Sequence, residues 1–209
     1  TLLERNVDTL LRHGFDEIVV ATSAEQTEIL DHARALATRV AARGGRLSIV
    51  AETAPRGNIG AVTQVDDRLT ELLVIFADNL TALDLRTLAH YHCSQGAAMT
   101  IAVHRQRFAM PFGEVELDGS TVCRYREKPT VDFVVCSAVA MIGPSARRVI
   151  GDQEAIGISD LVNRLLEQGY AVRAFLHEAA WTDVNDRVAL AEAEQMIAAN
   201  PEQFPVIRW

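Results

Sequence analysis

Leu72-Leu73-Val74-Ile75-Phe76-Ala77-Asp78-Asn79 sets five large apolar residues, with a β-branched pair at their centre, ahead of an acid and an amide. Such a run suits a strand buried on both faces in the middle of a parallel sheet. Open α/β sheets place ligands in the crevice outside the carboxyl ends of their strands, so Asp78 is a first site candidate. Asp78 and Asn79 also suit the N-cap of a following helix, and both readings stand at this point.

Outward from that strand, the flanking segments alternate. Leu3, Val7, Leu10 and Leu11 recur at helical spacing within 1–13, with Gly14 as the stop. Residues 17–21 form a short β-branched strand. Ser23 with Gln26 gives a capping-box pattern that opens a long helix towards Arg43, closed by Gly44-Gly45 before a strand at 46–51. A helix, strand, helix, strand order predicts a parallel sheet with right-handed crossovers. Residues 53–61 form a loop in which Gly57 and Gly60 permit close approach by a ligand, and a helix is expected at 62–69.

Beyond Asp78 the pattern predicts a helix at 85–95 ended by Gly96 and a strand at 98–103. Residues 112–117 and 121–125 flank Asp118-Gly119-Ser120, a hairpin signal that adds an antiparallel element. Arg126-Glu127-Lys128-Pro129 breaks the second arm, and 133–142 is another apolar strand. A helix at 159–168, a strand at 171–176, a loop at 181–185 and a final helix opened by Asp186 complete the chain.

Composition bounds the function. With 209 residues, 49% hydrophobic, and no repeat or linker, the chain suits one domain spanning 1–209. Twenty basic against 28 acidic residues give a net charge of −8, which argues against nucleic-acid binding. No apolar run approaches the roughly 20 residues of a membrane span, and the N-terminus lacks a signal-peptide pattern, so no membrane role and a cytoplasmic location are expected. Cys93, Cys123 and Cys136 lack close-pair spacing and read as reduced core fillers. His90, His92 and Cys93 do not share one helix face, so a structural role is expected there rather than a metal.

Asp78, the pair Glu127-Lys128, and Asp183 follow apolar runs. A parallel sheet gathers the carboxyl ends of its strands on one edge, where Asp78 and Asp183 would meet. Two carboxylates suit magnesium, which keeps several waters and shares its shell with phosphates. Lys128 offers a point charge for a phosphate, and Glu127 an acceptor for hydroxyls. Each also has a bland reading: a salt-bridged turn for Glu127-Lys128, and an acid at a helix start for Asp183.

Taken in order, these motifs resemble those of the sugar-1-phosphate nucleotidyltransferases, with mannose- and heptose-1-phosphate guanylyltransferases and thymidylyltransferase relatives nearest. Gly57-Asn58-Ile59-Gly60-Ala61 resembles the family's Gly-Thr-Ala-Gly loop, and Phe76-Ala77-Asp78-Asn79 its Gly-Asp-Asn strand end. Arg126-Glu127-Lys128-Pro129 resembles its Glu-Lys-Pro motif, Cys136-Ser137-Ala138-Val139 falls where Asn-Ala-Gly is usual, and Trp181-Thr182-Asp183-Val184-Asn185 resembles Trp-x-Asp-Ile-Gly.

The resemblance implies a Rossmann-like three-layer α/β/α fold, mostly parallel with an antiparallel hairpin, and magnesium held by Asp78 and Asp183 as catalytic residues. Gly57, Asn58 and Gly60 would pass beside the nucleobase, and Glu127, Lys128 and Ser137 would face the sugar and its phosphate. A sugar 1-phosphate and a nucleoside triphosphate would be the substrates, and an NDP-sugar and pyrophosphate the products.

The family's opening strand and its Gly-Gly-x-Gly-Thr-Arg-Leu loop have no counterpart, since Thr1 to Glu4 aligns with the helix that follows them. Relative to the family the domain is expected to be truncated at its N-terminus, with an uncovered strand edge and apolar surface. That implies a homo-oligomer or a partner subunit, and it leaves a non-catalytic binding or interaction subunit as the alternative.

Overall fold

The computed structural model describes residues 1–151 and 155–205. Helix α1 (Leu2–Arg12) starts at Thr1, where Thr1 and Glu4 close a reciprocal capping box. Strand β1 (Glu17–Ser23) and strand β2 (Arg46–Glu52) pair in parallel around helix α2 (Thr27–Ala42). Ile18 and Val20 of β1 pack with Val7 of α1 and with Leu36 and Val40 of α2, as the apolar spacing requires. The capping box expected at Ser23 does not form: Ser23 ends β1, Gln26 is the N-cap, and its carbonyl oxygen Oε1 accepts from Thr22 Oγ1 at 2.6 Å.

Strand β3 (Leu72–Ile75) is followed by the short β4 (Asn79–Thr81) and helix α3 (Leu85–Gln95). Asp84, not Asp78 or Asn79, caps α3, accepting from the amides of Arg86 and Thr87. The capping alternative for Asp78 is thereby removed. Residues expected as a helix at 62–69 form only a short 3-10 helix, Gly60–Gln64.

The remaining strands are β5 (Met99–Ala109), β6 (Glu114–Asp118), β7 (Thr121–Arg126), β8 (Thr130–Ile142), β9 (Val172–Leu176) and β10 (Trp181–Asp183). Helices α4 (Pro144–Val149), α5 (Ile158–Glu167) and α6 (Arg187–Ala199) intervene or follow. The largest sheet runs β3-β8-β5-β9, and helices cover both of its faces. Leu161 and Leu165 of α5 pack with Met99 and Ile142 on one side, and Leu85 and Leu88 of α3 pack with Ala102 and Met141 on the other. The fold is mixed α/β. Parallel pairing joins β1 to β2 and β5 to β9, and the antiparallel part reaches beyond the hairpin because β8 lies between β3 and β5.

Strand β3 is half-buried along its length rather than enclosed. Its far edge and the far edge of β1 have no strand partner among the described residues. They face each other across a cavity of about 700 Å³ lined by Ile18 and Val20 of β1, Leu73 and Ile75 of β3, and Leu3 and Val7 of α1. The apolar residues that line it are buried or half-buried, and the cavity reaches Asp78. The three cysteines are free, but all are exposed, so they do not fill a core.

Candidate functional site

The site is organised by a distortion in β8. Pairing with β5 steps from Ile101↔Ala140 to Val103↔Cys136, so residues 137–139 bulge out of register, and Ala138 adopts a left-handed φ of 54°. Bulges re-aim side chains and backbone beside functional sites. Here the bulge directs the Ser137 carbonyl at two donors, Asn79 Nδ2 at 2.5 Å and Trp181 Nε1 at 2.7 Å. One carbonyl therefore ties together β4 and β10.

Those two strands carry the candidate acids. Strand β10, expected as a loop, pairs antiparallel with β4, and Asp183 lies opposite Asn79. The Val184 amide donates to the Asp78 carbonyl at 2.9 Å, so the residue after Asp183 is tied to the backbone of Asp78. Asn6 of α1 donates to the Ala77 carbonyl at 3.3 Å and anchors the turn that holds Asp78. Burial, and then the charge of Asp78, hold the Asp183 carboxyl above its ordinary range, while the Asn185 amide pulls it back. Asp183 thus feels the charge of Asp78.

The other predicted residues are placed differently. Ser137 is fully buried. Its hydroxyl sits between His104 Nδ1 and His177 Nε2, each at 2.8 Å. Gly57 has a φ of 73°, and an added Cβ would lie 2.2 Å from the Ile156 carbonyl, so its lack of a side chain serves packing against the chain itself. Asn58 accepts from the Ile158 amide at 2.9 Å and also lines the cavity beside β3, while Gly60 is buried at the start of the short helix. Glu127 and Lys128 are exposed in the turn between β7 and β8, where Tyr125 donates to Glu127 at 2.8 Å. No described contact joins that turn to the aspartates.

His104, His177 and Trp181 were not anticipated as a group. The His104 ring packs at a tilt 4.6 Å from Trp181 and lies 5.8 Å from His177. A lone histidine near a strand end carries no spacing signal, so only the fold reveals the cluster. Burial, and then His104, push the His177 imidazole below its ordinary range. An unfolded chain therefore takes up this proton more readily, and the stability that His177 contributes is present above about pH 6.5 and lost as pH falls below it. Melting temperature is expected to drop between pH 7 and 5.5, and His177→Gln should flatten part of that slope. An unchanged slope would assign the effect to other groups.

Residues 1–200 match the model of the nucleotidyl transferase family. Valienol-1-phosphate guanylyltransferase of Streptomyces hygroscopicus subsp. limoneus is 28% identical over 132 residues, covering 58% of this chain and 35% of that protein. The chain thus spans about a third of the length of the curated relative it matches. Among solved structures, a Bacillus anthracis protein assigned as a glucose-1-phosphate thymidylyltransferase, in complex with a sucrose, superposes with a TM-score of 0.71 at 15% identity, over 100% of this chain and 84% of that one. HddC from Yersinia pseudotuberculosis gives 0.68 at 16% identity, over 93% and 84%, and its complex with GMP-PN gives 0.68 at 15% over the same shares. These likenesses share the mixed α/β fold, and the family match covers nearly all of the described residues: the chain belongs to the nucleotidyl transferase family.

Proposed function

We propose that this chain is the catalytic domain of a magnesium-dependent sugar-1-phosphate nucleotidyltransferase. The single observation that carries the proposal is the joining of Asp78 and Asp183 at adjoining strand ends, beside a cavity that opens at Asp78. The donor set suits magnesium, because two carboxylates leave room for waters and substrate phosphates. Mg2+ held there would neutralise phosphate charge during transfer.

In the proposed reaction, a phosphate oxygen of the sugar 1-phosphate forms a bond to the α-phosphorus of the triphosphate. The bond from that phosphorus to the bridging oxygen breaks, and pyrophosphate leaves. Asp78 and Asp183 orient the phosphates, Asn58 lies near the base, and Glu127 and Lys128 meet the sugar and its phosphate. Such transfers rest mainly on positioning and charge neutralisation, which suits a site without a built nucleophile. The guanylyltransferase relative makes guanosine triphosphate the first nucleotide to test.

A second reading is favoured by the apolar cavity between β1 and β3. Under it the 209 residues bind sugar phosphate or nucleotide, and turnover requires a further extended segment seated between those two edges. The assay is pyrophosphate release with Mg2+, a panel of sugar 1-phosphates and the four common triphosphates. Release that disappears when Mg2+ is chelated supports the enzyme. Saturable binding of a substrate with no release supports the binding domain, and absence of both contradicts the proposal.

A further inference from the structure

We propose that the hairpin of β6 and β7, with the outer ribbon of β5 and β8, is a self-association surface that pairs two copies of this chain through its apolar face. The sequence of the hairpin alternates as a half-buried sheet should. Val115 lies opposite Tyr125, and Leu117 opposite Val122, on one face. Glu114 lies opposite Arg126, joined at 2.7 Å, and Glu116 opposite Arg124, on the other. Yet the four apolar residues are 46–61% exposed, so the face that the alternation marks for burial is covered by nothing in the described chain.

The ribbon repeats the pattern. Phe108 pairs with Val131 and Gln106 with Phe133 on one face, where the two phenylalanine rings meet edge to face at 5.6 Å. Arg107 and Asp132 pair on the other, at 2.8 Å. A two-stranded hairpin alone is marginally stable in water, which makes cover for this face a structural need.

Charge selects the occupant. The chain carries −8, so two copies repel over most of their surface. Between positions 105 and 134, however, Arg105, Arg107, Arg124, Arg126 and Lys128 balance Glu114, Glu116, Asp118, Glu127 and Asp132. The net charge of this segment is zero, and the like-charge penalty for bringing two copies together is smallest here. The half-exposed aromatic and aliphatic side chains offer on the order of 700 Å² of apolar surface, near the roughly 800 Å² per partner of a standard interface.

Light scattering across a concentration series tests this. At about 100 μM the protein should have twice its 22.9 kDa mass, and Leu117→Glu with Val122→Glu should raise the apparent dissociation constant at least tenfold with the far-UV spectrum unchanged. Hydrogen exchange of the unaltered protein gives a second measurement that needs no folded variant: amide protection in 114–126 should rise with concentration. A monomer at that concentration overturns the proposal. So does a dimer indifferent to the double substitution, or one whose concentration-dependent protection falls at 17–21 and 72–75 instead. Protection of 114–126 that is strong and independent of concentration would assign the cover to the chain itself, and also overturns it.

Discussion

Asp183→Asn is expected to lower nucleotidyl transfer by about three orders of magnitude while leaving the metal-free protein no less stable. A metal that neutralises transferring phosphates supplies several kcal/mol, and losing about 4 kcal/mol corresponds to roughly a thousandfold in rate. The stability half follows from the raised carboxyl. Burial first and Asp78 second disfavour the ionised form of Asp183 in the folded protein. An acid raised in this way weakens the fold as pH rises past its ordinary value of 3.8 and through the raised one, and at pH 7 the full cost is present. Asparagine removes that cost while keeping size and polarity. Without magnesium the variant should melt at or slightly above the unaltered protein, and added Mg2+ should no longer raise the melting temperature. A variant that melts several degrees lower without metal would make Asp183 a structural residue.

Trp181→Ala is expected to be the most damaging single change around the site, at about 3 kcal/mol. Removing an aromatic ring from a packed position costs roughly 3–5 kcal/mol when the ring is fully buried, and Trp181 is half-buried. The ring packs at a tilt against His104, and its Nε1 donates to the Ser137 carbonyl at 2.7 Å. For a domain of this size the loss corresponds to a fall of about 6–12 °C in melting temperature. Trp181→Phe keeps a ring but removes the donor, so it should cost about 1 kcal/mol. Both changes loosen β10 and hence Asp183, so magnesium affinity should fall in the order unaltered, Phe, Ala. Melting curves with and without Mg2+ check the series, and an Ala variant with undiminished magnesium affinity would detach Trp181 from the site.

Local signals in the sequence carried most of the element order. Alternation and turn residues located β6, β7 and their hairpin, and helical spacing with glycine stops located α1, α3 and α5. Where local pattern and tertiary structure conflict, the sequence misleads. Trp181 to Asp183 are too few to show a strand period, and they become β10 only because β4 lies alongside. Ser23 has the chemistry of a helix cap, but the pairing of β1 with β2 extends through it. The apolar run ending at Asp78 signals full enclosure, and β3 is half-buried because one edge meets a cavity instead of another strand.

Strand-end position singles out Asp78 and Asp183 in the sequence, but the fold brings them near through the antiparallel pairing of β4 with β10 rather than along one edge of a parallel sheet. Ser137 was legible as a position, but not as the bridge between His104 and His177, since the bulge that turns it inward depends on the register of β5 against β8. Glu127 and Lys128 lie beyond the reach of any argument from strand ends, on an exposed turn between two ribbons.

Binding of Mn2+, followed by the loss of its free-ion electron paramagnetic resonance signal, tests the aspartate pair most directly. With a nucleoside triphosphate present, the protein is expected to take up one ion per chain. Asp78→Asn and Asp183→Asn should each weaken that uptake by at least tenfold, without changing the fold seen by circular dichroism. Unaltered stoichiometry and affinity in a protein carrying both substitutions would contradict the assignment of this site.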